Sequence, residues 1–198
     1  LFVLFVYFVG EKGFSMNIGS ADLQQDFFSL FNLPRRFQID TTVLEQAYRD
    51  LQAQVHPDKF AHRSEAERRL SMQWATRVNE GYQALRDPLQ RARYLLTLHG
   101  VDTQEESNTS MPTDFLMQQM EWREALEEAK QAKQAKDGAV LEGLEQRVQH
   151  TVRELHQGLA RDLDDTHDYA AASGIVRKLK FLEKLVEEIG SAFDELDY

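Results

Sequence analysis

Cysteine is absent from this chain. That absence excludes disulfides, thiol nucleophiles, and zinc or iron–sulfur clusters held by thiolates, and it is compatible with a reducing compartment. Proline and glycine are scarce, with four and ten in 198 residues, and no stretch shows the sustained apolar–polar alternation of a half-buried strand. No glycine-rich phosphate loop is present, so the chain carries no recognisable ATP site of its own. Long apolar runs are missing too. Leu1 to Val9 is uniformly apolar, but it has about half of the ~20 residues a membrane helix needs, and no basic segment precedes it as in a signal peptide. The reading is therefore no membrane partner, with Met16 as the natural start and residues 1–15 as upstream translated sequence.

Charge of one sign is what the chain has in excess, and it is unevenly placed. The net charge is −10, but Asp26 to Gly100 carries 11 Lys+Arg against 9 Asp+Glu, while Val101 to Tyr198 carries 11 against 22. Two fields of opposite sign imply different partners for the two halves, and the acidic half excludes nucleic acid.

The apolar residues recur at helical spacing throughout, so the fold class is all-α. A short helix is expected over Asp26 to Asn32, offering Phe27, Phe28, Leu30 and Phe31 to a core and stopping before Pro34. A second runs from Thr41 to Val55, capped by Asp40 or Thr41, with Leu44, Tyr48, Leu51 and Val55 on one face. It ends at His56 because Pro57 disfavours helical geometry in the residue before it. After a polar loop to Arg63, Ser64 and Glu67 form a capping box for a third helix that turns Leu70, Trp74, Val78, Tyr82 and Leu85 inward. Asp87-Pro88 caps and opens a fourth, with Leu89, Leu95, Leu96 and Leu98 before a Gly100 stop.

Val101 to Met111 is polar and aperiodic, and it is the expected linker. Beyond it, Thr113 to Ala135, Ala139 to Leu163 and Thr166 to Phe193 predict three long helices joined by short turns, hence an antiparallel bundle. The last carries a seam of Ile175, Leu179, Leu182, Val186, Ile189, Phe193 and Leu196; the middle one answers with Leu141, Leu144, Val148, Leu155, Leu159 and Leu163. The expected organisation is a non-family extension over 1–25, an N-terminal domain over 26–100, the linker over 101–111, and a C-terminal three-helix bundle over 112–198.

His56-Pro57-Asp58 is the stretch that carries the most information. At the end of one helix and ahead of a capped antiparallel partner, with a basic residue at Arg49, it reproduces the layout of a J-domain. Proline fixes the turn, and imidazole and carboxylate stay exposed for a partner. A hydrolase using His56 and Asp58 as an acid–base pair is a rival of another class, although no nucleophile accompanies them. His62, His99, His150, His156 and His167 show no metal-binding spacing, so no metal, cofactor or catalytic residue is assigned.

The likeness extends further. Phe27 to Pro34, Leu51 to Phe60, Arg91 to Leu96, Phe115-Leu116-Met117 and Val176 to Leu182 together resemble the HscB family, the J-type co-chaperones of iron–sulfur cluster assembly, over about residues 26 to 195. The resemblance implies that the J-domain stimulates ATP hydrolysis by the DnaK-class chaperone HscA, through His56, Pro57, Asp58, Lys59 and Arg49. It implies that the C-terminal bundle binds the scaffold protein IscU and delivers it. The zinc-binding cysteine module of some eukaryotic relatives is absent, which favours bacterial cytoplasm. The alternative is a general J-type co-chaperone for unfolded clients, disfavoured because the Gly/Phe-rich linker and cysteine repeats of such proteins are missing.

Helical angles locate a second candidate surface. Phe115, Trp122, Leu126 and Ala129 fall on one meridian of the first bundle helix, leaving Leu116, Met117, Met120, Glu121 and Glu124 on the opposite arc. Phe181 stands off the seam of its own helix. These six match the scaffold-binding surface that the resemblance implies; the other reading of the patch is burial against the N-terminal domain.

Overall fold

The computed structural model describes residues 23–103, 105, 111–131 and 138–196. The expectations for the N-terminal extension up to residue 22, for most of the linker, for the first bundle helix beyond Gln131 and for the side chain of Leu196 lie outside the described residues. Among the described residues the regular structure is helical, without a strand. It forms two compact units, Leu1–Pro34 with Ile39–Arg86, and Arg35–Gln38 with Asp87–Tyr198.

In the first unit, α1 (Phe27–Leu30) is capped by Asp26, whose carboxylate accepts the Ser29 N–H at 3.1 Å. Asn32, at φ 52°, turns the chain out of it. Asp40 caps α2 (Thr41–Val55) through the Thr42 and Val43 amides, at 2.8 and 3.3 Å. The expected polar loop contains a 3-10 turn, Pro57–Phe60. Ser64 and Glu67 then exchange hydrogen bonds, Ser64 N–H to Glu67 at 2.9 Å and Glu67 N–H to Ser64 Oγ at 3.3 Å, and start α3 (Glu65–Arg86).

Pairings between α2 and α3 run in opposite senses along the two helices, which makes them antiparallel. Ser71 reaches Val55 near the turn, while Tyr48 bonds Asn79 at 2.9 Å and stacks on Tyr82 at 4.0 Å toward the open end. Leu44, Leu51, Val55, Trp74, Val78 and Leu85 are fully buried between them, each contributing about 1.5–3 kcal/mol. Leu70 and Tyr82, expected inward, are half-buried. Gly81 lets α1 approach α3: a Cβ there would stand 2.7 Å from Phe27 and 2.9 Å from Phe31.

The second unit holds α4 (Pro88–Leu98), α5 (Thr113–Gln131), α6 (Ala139–Ala160) and α7 (Tyr169–Leu196). Its core joins Phe115, Trp122 and Leu126 of α5, Leu141, Leu144 and Val148 of α6, and Leu182, Leu185 and Ile189 of α7. Asp87 caps α4, accepting from the Gln90 amide at 2.8 Å, and Gly100, at φ 72°, follows its end.

The division between the two compact units falls after Arg86, because α4 packs on α7. Its Leu89, Ala92, Leu95 and Leu96 are buried, whereas Leu98 is 37% exposed. The polar run after Gly100, the expected linker, marks a break in periodicity. Arg93 and Glu105 also tie that run to α4, in a forked pair at 2.5–3.0 Å. Two expectations are corrected here. First, the expected seam of α7 is only part of its buried line: Leu179, Leu182 and Ile189 are buried, Val176, Leu185 and Ala192 join them, and Ile175, Val186 and Phe193 are partly buried. Packing against α4 as well as α6 widens the stripe beyond a two-position seam. Second, α6 ends at Ala160 in a π turn, Arg161–Asp165, rather than running on as α-helix to Leu163.

That π turn presents Asp164, whose carboxylate accepts the Phe37 and Gln38 amides at 2.6 and 2.9 Å. Arg91, buried, donates from Nε to the Phe37 carbonyl at 2.7 Å. Burial pulls its guanidinium below the usual arginine range, with Asp87 and Asp164 opposing the shift. The segment Arg35–Gln38 is thereby fastened into the second unit.

Candidate functional site

The first candidate site is the turn that joins α2 to α3. Val55 is the last helical residue of α2, so the backbone carbonyls there lose their intrahelical donors, and Pro57 supplies no N–H. The Lys59 amide returns to the His56 carbonyl at 3.0 Å, and the Ser71 hydroxyl, fully buried on α3, donates to the Val55 carbonyl at 2.7 Å. The turn is thus pinned from behind while its side chains face outward. His56 is 53% exposed and Asp58 89%.

His56 Nδ1 accepts the Asp58 backbone N–H at 3.3 Å, and the same nitrogen lies 3.5 Å from Asp58 Oδ2. The two interactions exclude each other, since accepting an N–H requires an unprotonated Nδ1 and an ion pair requires a protonated one. In the neutral ring Nε2 therefore carries the proton and is left as the ring's donor. Asp58 offers an open carboxylate beside it. The geometry suits recognition by a partner. An acid–base pair works in a pocket shielded from water, whereas both groups here stand in solvent.

Arg49 lies seven residues before His56, a rotation of nearly two whole turns, which puts both on one side of α2 about 10 Å apart along its axis. It is exposed, with Nε on the Glu45 carbonyl at 3.3 Å and its guanidinium 3.9 Å from the Glu45 carboxylate. Lys59 is exposed within the turn. Ser71 is the residue that sequence reasoning missed; a serine on the apolar face of α3, one turn before Trp74, was its only signal.

The second candidate site is on the bundle. Leu116, Met117 and Met120 are 42%, 52% and 62% exposed, while Phe115, Trp122 and Leu126 of the same helix are buried, so α5 has one apolar face in the core and another in solvent. Glu121 and Glu124 are exposed beside them. Phe181, expected off the seam of its own helix, stands at the border between core and surface. It is half-buried on the edge of the core, its ring edge-on to Phe115 at 6.1 Å, with the Arg123 guanidinium 5.5 Å above it. Glu121 lies on the other flank of α5, in a groove it shares with Gln118, Trp122, Arg147 and His150. The six residues therefore make a band around the outer half of α5, from the α6 side at Glu121 to the α7 side at Phe181, and not one compact patch. Arg123, absent from the sequence-based set, stands inside that band.

Among the described residues, no group of three or more His, Asp or Glu is placed to hold a metal ion, and no helix is long and apolar enough to cross a membrane.

An antiparallel helix pair bearing an exposed His-Pro-Asp turn, on a chain that continues into a helical bundle, is the architecture of a J-type co-chaperone with its own C-terminal domain. The family model described as the HSCB C-terminal oligomerisation domain matches residues 111–190. The co-chaperone protein HscB homolog of Aromatoleum aromaticum is 56% identical over 178 residues, 90% of this chain and 99% of that protein. Its counterpart in Chromobacterium violaceum is 55% identical, over 88% of this chain and 97% of that one. Of solved structures, chaperone HscB from Vibrio cholerae superposes with a TM-score of 0.77 at 37% identity, over 87% of this chain and 99% of that one. The human co-chaperone protein HscB gives a TM-score of 0.79 at 33% identity, over 86% and 83%. The chain belongs to the HscB family of co-chaperones.

Proposed function

We propose that this protein stimulates the ATPase of an HscA-type, DnaK-class chaperone and delivers to it an IscU-type scaffold, supporting the maturation of iron–sulfur proteins in the bacterial cytoplasm. The observation that carries the reading is the presence of two outward-facing sites in separate compact units. One is the pinned turn of His56, Pro57, Asp58 and Lys59, with Arg49 on the same side of α2; the other is the exposed stripe of Leu116, Met117 and Met120. The turn offers an N–H donor and a carboxylate to a nucleotidase partner. The stripe, flanked by Glu121, Glu124 and Phe181, offers flexible apolar side chains to a protein cargo. One chain holding both raises the local concentration of cargo at the chaperone, so each contact can be weak. ATP chemistry stays in the partner.

The test is steady-state ATP turnover of HscA with this protein, alone and then with IscU. Stimulation that IscU enhances is expected, and His56→Gln should abolish it; full stimulation by His56→Gln would refute the assignment. Met117→Ala with Phe181→Ala should weaken scaffold binding in calorimetry while leaving scaffold-free stimulation intact. Stimulation of a general DnaK with unfolded clients, and no response to IscU, would favour the broader co-chaperone reading.

A further inference from the structure

A cleft of about 760 Å³ opens in the second unit between the end of α6, the start of α7 and the entry to α5. Its apolar floor is built by Leu155, Ile175 and Met111, and its cations are Arg161, Arg177 and Lys178. Two glycines make the space. Gly158 is buried against Ile175, where a Cβ would meet the Ile175 side chain at 2.9 Å; at Gly174 a Cβ would find only Arg177 Nη2, at 3.8 Å. α7 therefore lies close to α6 at Gly158, and the wall at Gly174 stays flat.

The charges in the cleft are incompletely matched. Asp162, whose side chain is 6% exposed, is already engaged by Arg161 Nε at 2.8 Å. Glu154 lies on the rim and faces His150 at 3.4 Å. Lys178 sits 5.4 Å over the Phe115 ring. Arg177 donates from Nη1 to the Thr103 carbonyl and to Ser173 Oγ, at 3.1 and 3.0 Å, but its buried Nε–H has no acceptor among the described residues. With Arg161 and Asp162 paired, Arg177 and Lys178 remain without a carboxylate partner among the described residues, two cations over an apolar floor in a half of the chain with 11 Lys+Arg against 22 Asp+Glu.

We propose that this cleft docks a segment of a partner protein that is acidic and carries apolar side chains between its carboxylates. Charge complementarity selects the carboxylates, and the Leu155, Ile175 and Met111 floor takes the apolar side chains. None of the residues of the His-Pro-Asp turn or of the α5 stripe lines it, so the inference stands apart from the function proposed above.

The experiment uses the full chain and a fluorescein-labelled octapeptide of alternating Glu and Leu, read by anisotropy, with an alternating Lys and Leu octapeptide as control and inorganic phosphate as competitor. The Glu–Leu peptide should bind in a salt-sensitive manner, and the Lys–Leu peptide should not. Lys178→Glu should weaken binding about fivefold to tenfold. Gly174→Ala should weaken it as well, with the thermal midpoint unchanged or raised, because the added methyl has room against the protein and fills the cleft. Equal binding of both peptides, or unchanged affinity in both variants, would overturn the proposal. So would phosphate at low millimolar concentration displacing the peptide completely, since that outcome means an anion site with no use for the apolar floor.

Discussion

The Ser71 hydroxyl links the stability of the first unit to its function, and Ser71→Ala removes it. The Val55 carbonyl would normally receive the amide four residues on, but that amide belongs to Lys59 and goes to the His56 carbonyl at 3.0 Å. The Ser71 hydroxyl, 2.7 Å away on a residue with no exposed surface, fills the gap. Deleting it leaves a buried acceptor unpaired, at a cost of about 1–3 kcal/mol. With a urea slope of about 1 kcal/mol/M for so small a unit, the unfolding midpoint of the first unit should fall by about 1–3 M with the slope unchanged. The two tryptophans allow that unit to be read by itself: Trp74 lies in the first and Trp122 in the second, so a Trp122→Phe background isolates Trp74 fluorescence. Hydrogen exchange should quicken at Lys59. In the chaperone assay, more protein should be needed for half-maximal stimulation while the maximum is kept, because a loosened turn lowers the binding-competent fraction and not the chemistry of the bound state. A loss below about 0.3 kcal/mol, well under the penalty of an unpaired buried carbonyl, with unaltered exchange at Lys59, would refute the reasoning.

Gly81→Ala should destabilise the first unit by up to about 2 kcal/mol in the same urea assay. Overpacking against Phe27 and Phe31 costs about 1–3 kcal/mol, and the better helix propensity of alanine returns about 1; a net gain in stability would show that α1 moves aside freely. Asp164→Asn should speed hydrogen exchange at the Phe37 and Gln38 amides, since the amide side chain replaces one of the two acceptor oxygens with a donor; unaltered exchange there would mean that the clasp is not what holds the segment. Glu105 sets a pH dependence. Burial alone would raise its carboxyl, but the hydrogen bonds from Arg93 and Thr103 prevail and hold it below the ordinary 4.5. A depressed carboxylate contributes its stabilisation above the unfolded value and loses it as pH falls through the folded one, so the thermal midpoint of the second unit should drop on acidification below 4.5, and Glu105→Gln should flatten that drop. An unchanged acid profile in Glu105→Gln would count against the pair.

Local chemistry made much of the fold legible. Asp40, Pro57, the Ser64–Glu67 box and Asp87-Pro88 each act within four residues of their own position, so the ends of α2, α3 and α4 followed from the sequence to within a residue. The His-Pro-Asp turn is equally local, since proline stops the helix and exposes its neighbours wherever it sits. What stayed hidden depends on partners distant in sequence. The assignment of α4 to the second unit rests on α7, and the segment 35–38 follows Asp164, more than a hundred residues away. Periodicity reports which face of a helix is apolar; it is silent about how many neighbours share that face, and so it drew the buried stripe of α7 too narrow.

The same limit explains the α5 band. A helical wheel placed Leu116, Met117 and Met120 outside correctly, because the opposing face, with Phe115 and Trp122, is large enough to fill the core without them. It could not place Phe181, whose exposure is set by a helix from elsewhere in the chain: Phe115 takes one edge of the ring and Arg123 covers it from above. The aromatic is therefore held in one orientation, while Met117 and Met120 keep their side-chain freedom. On the proposed function, this band would present cargo with a fixed hydrophobic edge at the α7 side and adaptable side chains across α5, so truncating Phe181 would remove a preorganised contact whereas truncating a methionine would leave neighbours able to refill the gap. Measured singly by calorimetry, Phe181→Ala should cost more scaffold affinity than Met117→Ala, and the reverse order would mean that the half-buried ring belongs to the core alone.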